Sequence, residues 1–177
     1  SSVRALADAH ASGIADVRLV AISASERQKL GDQLETFSEF QERMASLGLG
    51  HLPLLFPMMY WDVTYWDECL WADEQMELLE RKLHGVLFPG IPHLWQDYCR
   101  ERGIEPELTT LDRKWKNAKC DVLAIWSHAF RKRQVFVTTD RNFHKATKKS
   151  KLIGLGAGRI ETPASAVSLL QVNKNAV

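Results

Sequence analysis

Hydrophobic and polar positions along the chain follow two rhythms. Val3, Leu6 and Ala9/His10 recur at helical spacing between Ser1 and Ser12, and Gly13 supplies a stop, which predicts a first helix. The short run Val17-Arg-Leu-Val-Ala-Ile22 predicts a strand. From Ser25 the helical rhythm returns, with Leu30, Leu34, Phe37, Phe40 or Gln41, Met44 and Leu47 on one side and Gly48 closing the element. Residues 49–110 fit neither rhythm throughout. Leu52 to Pro57 reads as an apolar loop, followed by helices near 68–83 and 93–102, the second ended by Gly103. This stretch is expected to form a helical insertion within one domain spanning 1–177.

The last third is the most regular. Thr109 or Thr110 can cap a helix that reaches about Phe130, with room for a break. Gln134 to Thr139 predicts a buried strand that ends directly on Asp140, and a basic helix follows over His144 to Lys149. Arg159-Ile160 predicts a short final strand, then Thr162 as a cap with Pro163 at the first helical position. Strands alternating with helices imply an α/β fold, a mostly parallel central sheet flanked by helices. The chain shows no internal repeat.

Composition changes this picture little. The chain is 177 residues long with 45% hydrophobic and 25% charged residues, as in a soluble globular domain. No segment approaches the ~20 apolar residues that span a bilayer, and no secretory signal pattern opens it. Its three cysteines, Cys69, Cys99 and Cys120, form no CxxC pair, so reduced thiols packed in a cytoplasmic protein are expected. Trp61, Trp66 and Trp71 recur every five residues, a spacing of neither helix nor strand. Given the area each indole buries, packing inside the insertion is favoured over ligand stacking.

Charge distribution carries more than the net value of +1. Leu111 to Lys151 holds 12 Lys/Arg against three acids, a balance of +9 that leaves −8 on the rest of the chain. Such a stretch suits a phosphate-binding surface, or equally a solvated face balancing an acidic one. Within it, Asp140 stands at the carboxyl end of a strand, where open parallel sheets gather ligands. A divalent cation would neutralise it there; alternatively it caps the next helix through the amide of Asn142 or Phe143. Asp121 lies in a helix one turn after Asn117, so the two share a face. A helical and a strand-end carboxylate converging on one crevice, with water, make the oxygen-donor set that Mg²⁺ or Mn²⁺ prefers. Gly154, Gly156 and Gly158 lead into a strand without a following GK[ST], so they predict a tight turn rather than a nucleotide loop. The six histidines show no HExxH spacing, and Ser23 and Ser25 lack a nucleophile-elbow context.

Asn117-Ala-Lys-Cys-Asp121-Val-Leu-Ala-Ile, followed by Val135-Phe-Val-Thr-Thr-Asp140-Arg-Asn-Phe143, resembles the C-terminal half of PIN domains. Ile153 to Ile160 and Thr162-Pro163 suit the final strand and helix of that family, so the likeness is clearest over about 110–170. The resemblance implies a PIN-like fold and a Mg²⁺- or Mn²⁺-dependent endoribonuclease. Asp121, Asp140 and Glu26 would be the catalytic acids and metal ligands, with Glu35 as the fallback for Glu26 and Asn142 holding metal-bound water. Asn117, Lys119, Arg141, Lys145, Lys148 and Lys149 would contact nucleic acid, with single-stranded RNA as the expected substrate. The family's first strand and its terminal aspartate find no match here, and a fragment or trimmed product is the favoured explanation. The rival reading is a catalytically silent PIN-like module that binds RNA or a protein. A homodimer or an antitoxin-type partner is compatible with either, and no membrane association is expected.

Overall fold

The computed structural model describes residues 1–25, 36–108 and 110–174. Helix α1 (Ser2–Ala11) leads through Gly13, at φ 71°, to strand β1 (Leu19–Val20) and a 3₁₀ turn at Ala21–Ala24. The strand expected over 17–22 is thus cut short by that turn. Helix α2 (Phe37–Ser46) is capped by Thr36, whose hydroxyl accepts from the Glu39 amide at 3.3 Å. The helix predicted from Ser25 falls in its first ten residues on 26–35, outside the described residues.

Strand β2 (Leu54–Leu55) pairs parallel with β1, Leu19 opposite Leu54 and Val20 opposite Leu55. This corrects the reading of Leu52 to Pro57 as a loop: two of its leucines complete a strand pair. A 3₁₀ turn at Trp66–Glu68 precedes α3 (Glu74–Leu87), which begins six residues later than expected because Asp73 supplies the cap, accepting from the Met76 amide at 2.8 Å. Helix α4 (Trp95–Arg102) ends on Gly103 in the left-handed conformation, as its sequence predicts.

After a 3₁₀ turn at Pro106–Leu108 comes α5 (Arg113–Phe130), eighteen residues without a break. Its cap is Asp112 rather than Thr110, while Thr109 lies outside the described residues. One oxygen of Asp112 accepts from the Lys114 and Trp115 amides and from the Tyr98 hydroxyl. A carboxylate there satisfies amides that a threonine two residues earlier could not reach. Strand β3 (Val135–Val137), α6 (Arg141–His144), α7 (Ala146–Leu152), a π-type turn (Ile153–Ala157), β4 (Arg159–Glu161) and α8 (Pro163–Lys174) complete the chain. Strands β3 and β4 are parallel, with Phe136 opposite Ile160. The fold is therefore mixed α and β with parallel pairing. Among the described residues the strands form two separate two-stranded sheets, not one central sheet.

The main core gathers Met76, Leu83 and Leu87 of α3, Trp95 and Tyr98 of α4, the whole middle of α5, and Phe136, Leu152 and Ile160. Residues 49–110 are thus built into the core rather than appended to it. From Ala118 to Ala129, α5 is buried on every side apart from Asp121, as a mostly apolar helical stretch must be. Its two indoles find acceptors, Trp115 Nε1 donating to the Pro92 carbonyl at 3.0 Å and Trp126 Nε1 to Met76 at 3.1 Å. Cys99 and Cys120 are buried thiols, and Cys69 is half-buried. No helix among the described residues is long and apolar enough to cross a membrane.

The glycines of 154–158 do make a tight turn. Gly158, at φ 59° and ψ −145°, brings its backbone against the Gln134 carbonyl, and the ladder opens there with Arg159 N donating to Gln134 O at 2.8 Å. A β-carbon on Gly158 would overlap that carbonyl oxygen. Gly158→Ala should therefore cost at least about 1–3 kcal/mol, from φ/ψ strain alone. Urea unfolding checks this, and an unchanged midpoint would show that the β3–β4 start can shift to make room.

Candidate functional site

At the end of β3 the chain turns into α6, and Asp140 makes the turn. Its Oδ1 accepts from the Asn142 amide at 2.8 Å, and its own amide donates to Thr138 Oγ1 at 3.1 Å. His144 Nε2 closes the loop on the Thr138 carbonyl at 2.9 Å, and Phe143 is buried against Phe136 with ring centroids 5.3 Å apart. Asp140 is thus a helix cap, one of the two roles its position allows. Among the described residues only the Asn142 amide donates to its carboxylate, which is otherwise exposed.

Lys148 reaches back from α7 to this corner. Its ammonium donates to Asn142 Oδ1 at 2.6 Å and to the Leu87 carbonyl at the end of α3, where the helix dipole favours a cation. Burial lowers the Lys148 pKa, Lys145 adds to that, and Asp140 opposes it. Asp140, Asn142 and Lys148, drawn separately from the sequence, therefore stand together. The amide oxygen of Asn142, the atom that would face a metal-bound water, accepts from Lys148. Arg141 and Lys145 are exposed and Lys149 is half-buried beside them.

Asp121 sits on α5. Every residue from Ala118 to Ala129 is buried except Asp121, which is half-buried, and Asn117 one turn earlier is exposed. This otherwise sealed stretch thus opens to water at an aspartate. The 3₁₀ turn Ala21–Ala24 packs on α5. Glu26 and the fallback Glu35 lie outside the described residues.

Lys119 does not belong to a nucleic-acid surface. It is 0% exposed, and its ammonium donates to Glu80 Oε1 at 2.7 Å. Glu80 is 1% exposed, with its other oxygen against His93 Nε2. Burial opposes the charge on Glu80, but His93 and Lys119 outweigh it and hold the carboxyl below its usual range. Burial pulls the Lys119 pKa down while Glu80 supports it. The Tyr60 and Trp115 rings stand 4.9 and 5.3 Å from the Lys119 ammonium. This buried pair ties α3 to α5. The available signal was Lys119, the one Lys or Arg between Ala118 and Ala129 of α5, set directly between Ala118 and Cys120.

Among the described residues no three His, Cys, Asp or Glu groups are placed to hold one ion. Mg²⁺, however, takes one or two carboxylates and completes its octahedron with water and substrate phosphate. Asp140 is exposed at the turn into α6 and Asp121 is half-buried on α5, and each is a carboxylate of the kind such an ion takes. Compared with known proteins, the chain matches no family model, no curated protein and no solved structure.

Proposed function

We propose that this chain is a PIN-like endoribonuclease that hydrolyses phosphodiester bonds with Mg²⁺ or Mn²⁺, acting on single-stranded RNA in the cytoplasm. The observation that carries this reading is Asp121, the one opening in the sealed stretch of α5, together with Asp140 at the carboxyl end of β3. Asp121 and Asp140 would hold the ion, with Glu26 as the third acid. A bound ion lowers the pKa of its water and neutralises phosphate charge. Arg141, Lys145 and Lys149 contact backbone phosphates, and Asn117 can hydrogen-bond the same strand. Such contacts set position without reading bases. Lys148, braced by Asn142, places fixed positive charge beside the scissile phosphate. Lys119, being buried, contributes through the position of α5.

The test is cleavage of a labelled single-stranded RNA in Mn²⁺ or in EDTA, with Asp121→Asn and Asp140→Asn alongside. Asparagine caps a helix as well as aspartate does, so Asp140→Asn keeps the α6 turn. Cleavage that requires metal and falls on the order of a hundredfold or more in each variant is the expected result. Equal cleavage by Asp140→Asn would remove Asp140 from the site.

A second reading, a silent PIN-like module that binds RNA or protein, is favoured by one feature. The Lys148 ammonium already supplies Asp140 with a counter-charge and occupies Asn142. Saturable Mn²⁺ heat by calorimetry, lost in Asp140→Asn, separates the enzyme from this module, which would show none.

A further inference from the structure

The three tryptophans spaced five apart are not packed inside the protein. Trp61 is 67% exposed, Trp66 57% and Trp71 75%, contrary to the expectation drawn from indole area. They nevertheless touch one another. The Trp61 and Trp66 centroids lie 5.2 Å apart at 48°, and Trp66 and Trp71 lie 5.8 Å apart edge to face. Three contiguous indoles turned to solvent are costly to leave in water and mark an interaction surface.

The cluster is mounted rigidly. Met58 and Val63 of the same loop are buried in the core, and Met59 N donates to the Leu70 carbonyl, as Leu70 N does to Pro57, both at 2.8 Å. The Thr64 hydroxyl accepts from the Tyr60 amide and donates to the Tyr60 carbonyl, each at 3.0 Å. Asp62, directly after Trp61, holds φ 58°, a left-handed conformation uncommon outside glycine. Aromatic side chains set on a hydrogen-bonded frame lose little entropy on binding, the property of interface anchors.

Charge decides what they bind. From Trp61 to Glu80 there are seven acids and no Lys, Arg or His, and Asp62, Asp67, Asp73, Glu74 and Glu77 are exposed. Such a surface repels phosphate, so it does not extend the basic face around Lys145. Indole faces attract guanidinium and ammonium groups, and neighbouring carboxylates add to that attraction. We infer that the Trp61–Trp66–Trp71 cluster is a docking surface for an Arg/Lys-rich segment of a partner protein. This site is independent of the proposed nuclease centre.

Binding of a fluorescein-labelled nona-arginine peptide to the full chain, followed by anisotropy at physiological salt, tests the inference. A saturable rise, protection of tryptophan fluorescence from acrylamide, and at least tenfold weaker binding in Trp66→Ala are expected. Trp66 is exposed, so the variant should fold, and an unchanged thermal melt confirms it. Asp67→Asn/Glu68→Gln should weaken binding too, whereas Phe130→Ala, which removes an exposed aromatic outside the cluster, should not. Equal binding by Trp66→Ala would overturn the inference by showing attraction of charge alone. So would single-stranded RNA binding lost with Trp66, or a dimer by sedimentation that Trp66→Ala converts to monomer.

Discussion

Lys119→Met should lower the stability of this protein by about 3–5 kcal/mol, because it leaves the Glu80 carboxylate buried with only His93 to answer it. The two side chains are 0% and 1% exposed, so water cannot enter to replace the lost partner without opening the α3–α5 contact. Methionine keeps most of the side-chain volume, so the loss reports charge rather than a cavity. For a chain of this length a change of that size lowers the melting temperature by roughly 10 °C. The double variant Glu80→Leu/Lys119→Met should recover much of the loss, since removing both charges also removes both desolvation costs. Urea unfolding of the two singles and the double completes the cycle. If the effects simply add, the pair is not coupled and the brace between α3 and α5 is apolar.

Acidification should destabilise the protein before its carboxylates titrate. His84 and His128 are 2% and 3% exposed. His84 donates from Nε2 to the Ile91 carbonyl, and its Nδ1 lies buried without a hydrogen-bond partner. His128 donates from Nε2 to Ala157 at 2.8 Å. Burial lowers each pKa from 6.5 to about 4; Lys119 adds to the effect at His84, and Arg133 at His128. Both folded pKa values lie below the unfolded one, so the unfolded chain binds more protons throughout that interval. Their contribution is complete above pH 6.5 and is lost as pH falls toward 4, on the order of 3 kcal/mol for each histidine. Asp16, Asp112 and Glu80 have lowered carboxyl pKa values, so their losses come below the interval in which the histidines act first. The urea midpoint should therefore drop steadily between pH 7 and 5, and His128→Phe should flatten that slope by about half. A midpoint that stays level over this range would mean that protons reach the two rings in the folded state.

Several elements were legible because their signals are local. The α4 stop at Gly103 needs only a residue that accepts φ 64°, and the start of α8 needs only Thr162 as cap and Pro163 after it. Asp140 at a strand end was legible for the same reason, as was its alternative role of capping onto Asn142. The α5 cap was misplaced because Asp112 competes with Thr110 through a bond to Tyr98, fourteen residues away. Strand β2 was missed because two leucines between prolines carry no periodicity; only the parallel edge of β1 makes them a strand.

In the last third the residues alone give the alternation of helices and strands, the parallel pairing that short strands joined through helices require, and the place of Asp140 just beyond a strand. They do not give the break at Lys145, which makes two helices, α6 and α7, where one over His144 to Lys149 is predicted. Tertiary structure alone decided the rest. It buried Lys119 against Glu80, turned three tryptophans outward, left Asp121 as the opening in α5, and drew Lys148 onto Asn142. The physical reason is common to all four. Exposure and charge pairing depend on which distant surfaces meet, and the spacing of residues along one element does not contain that information.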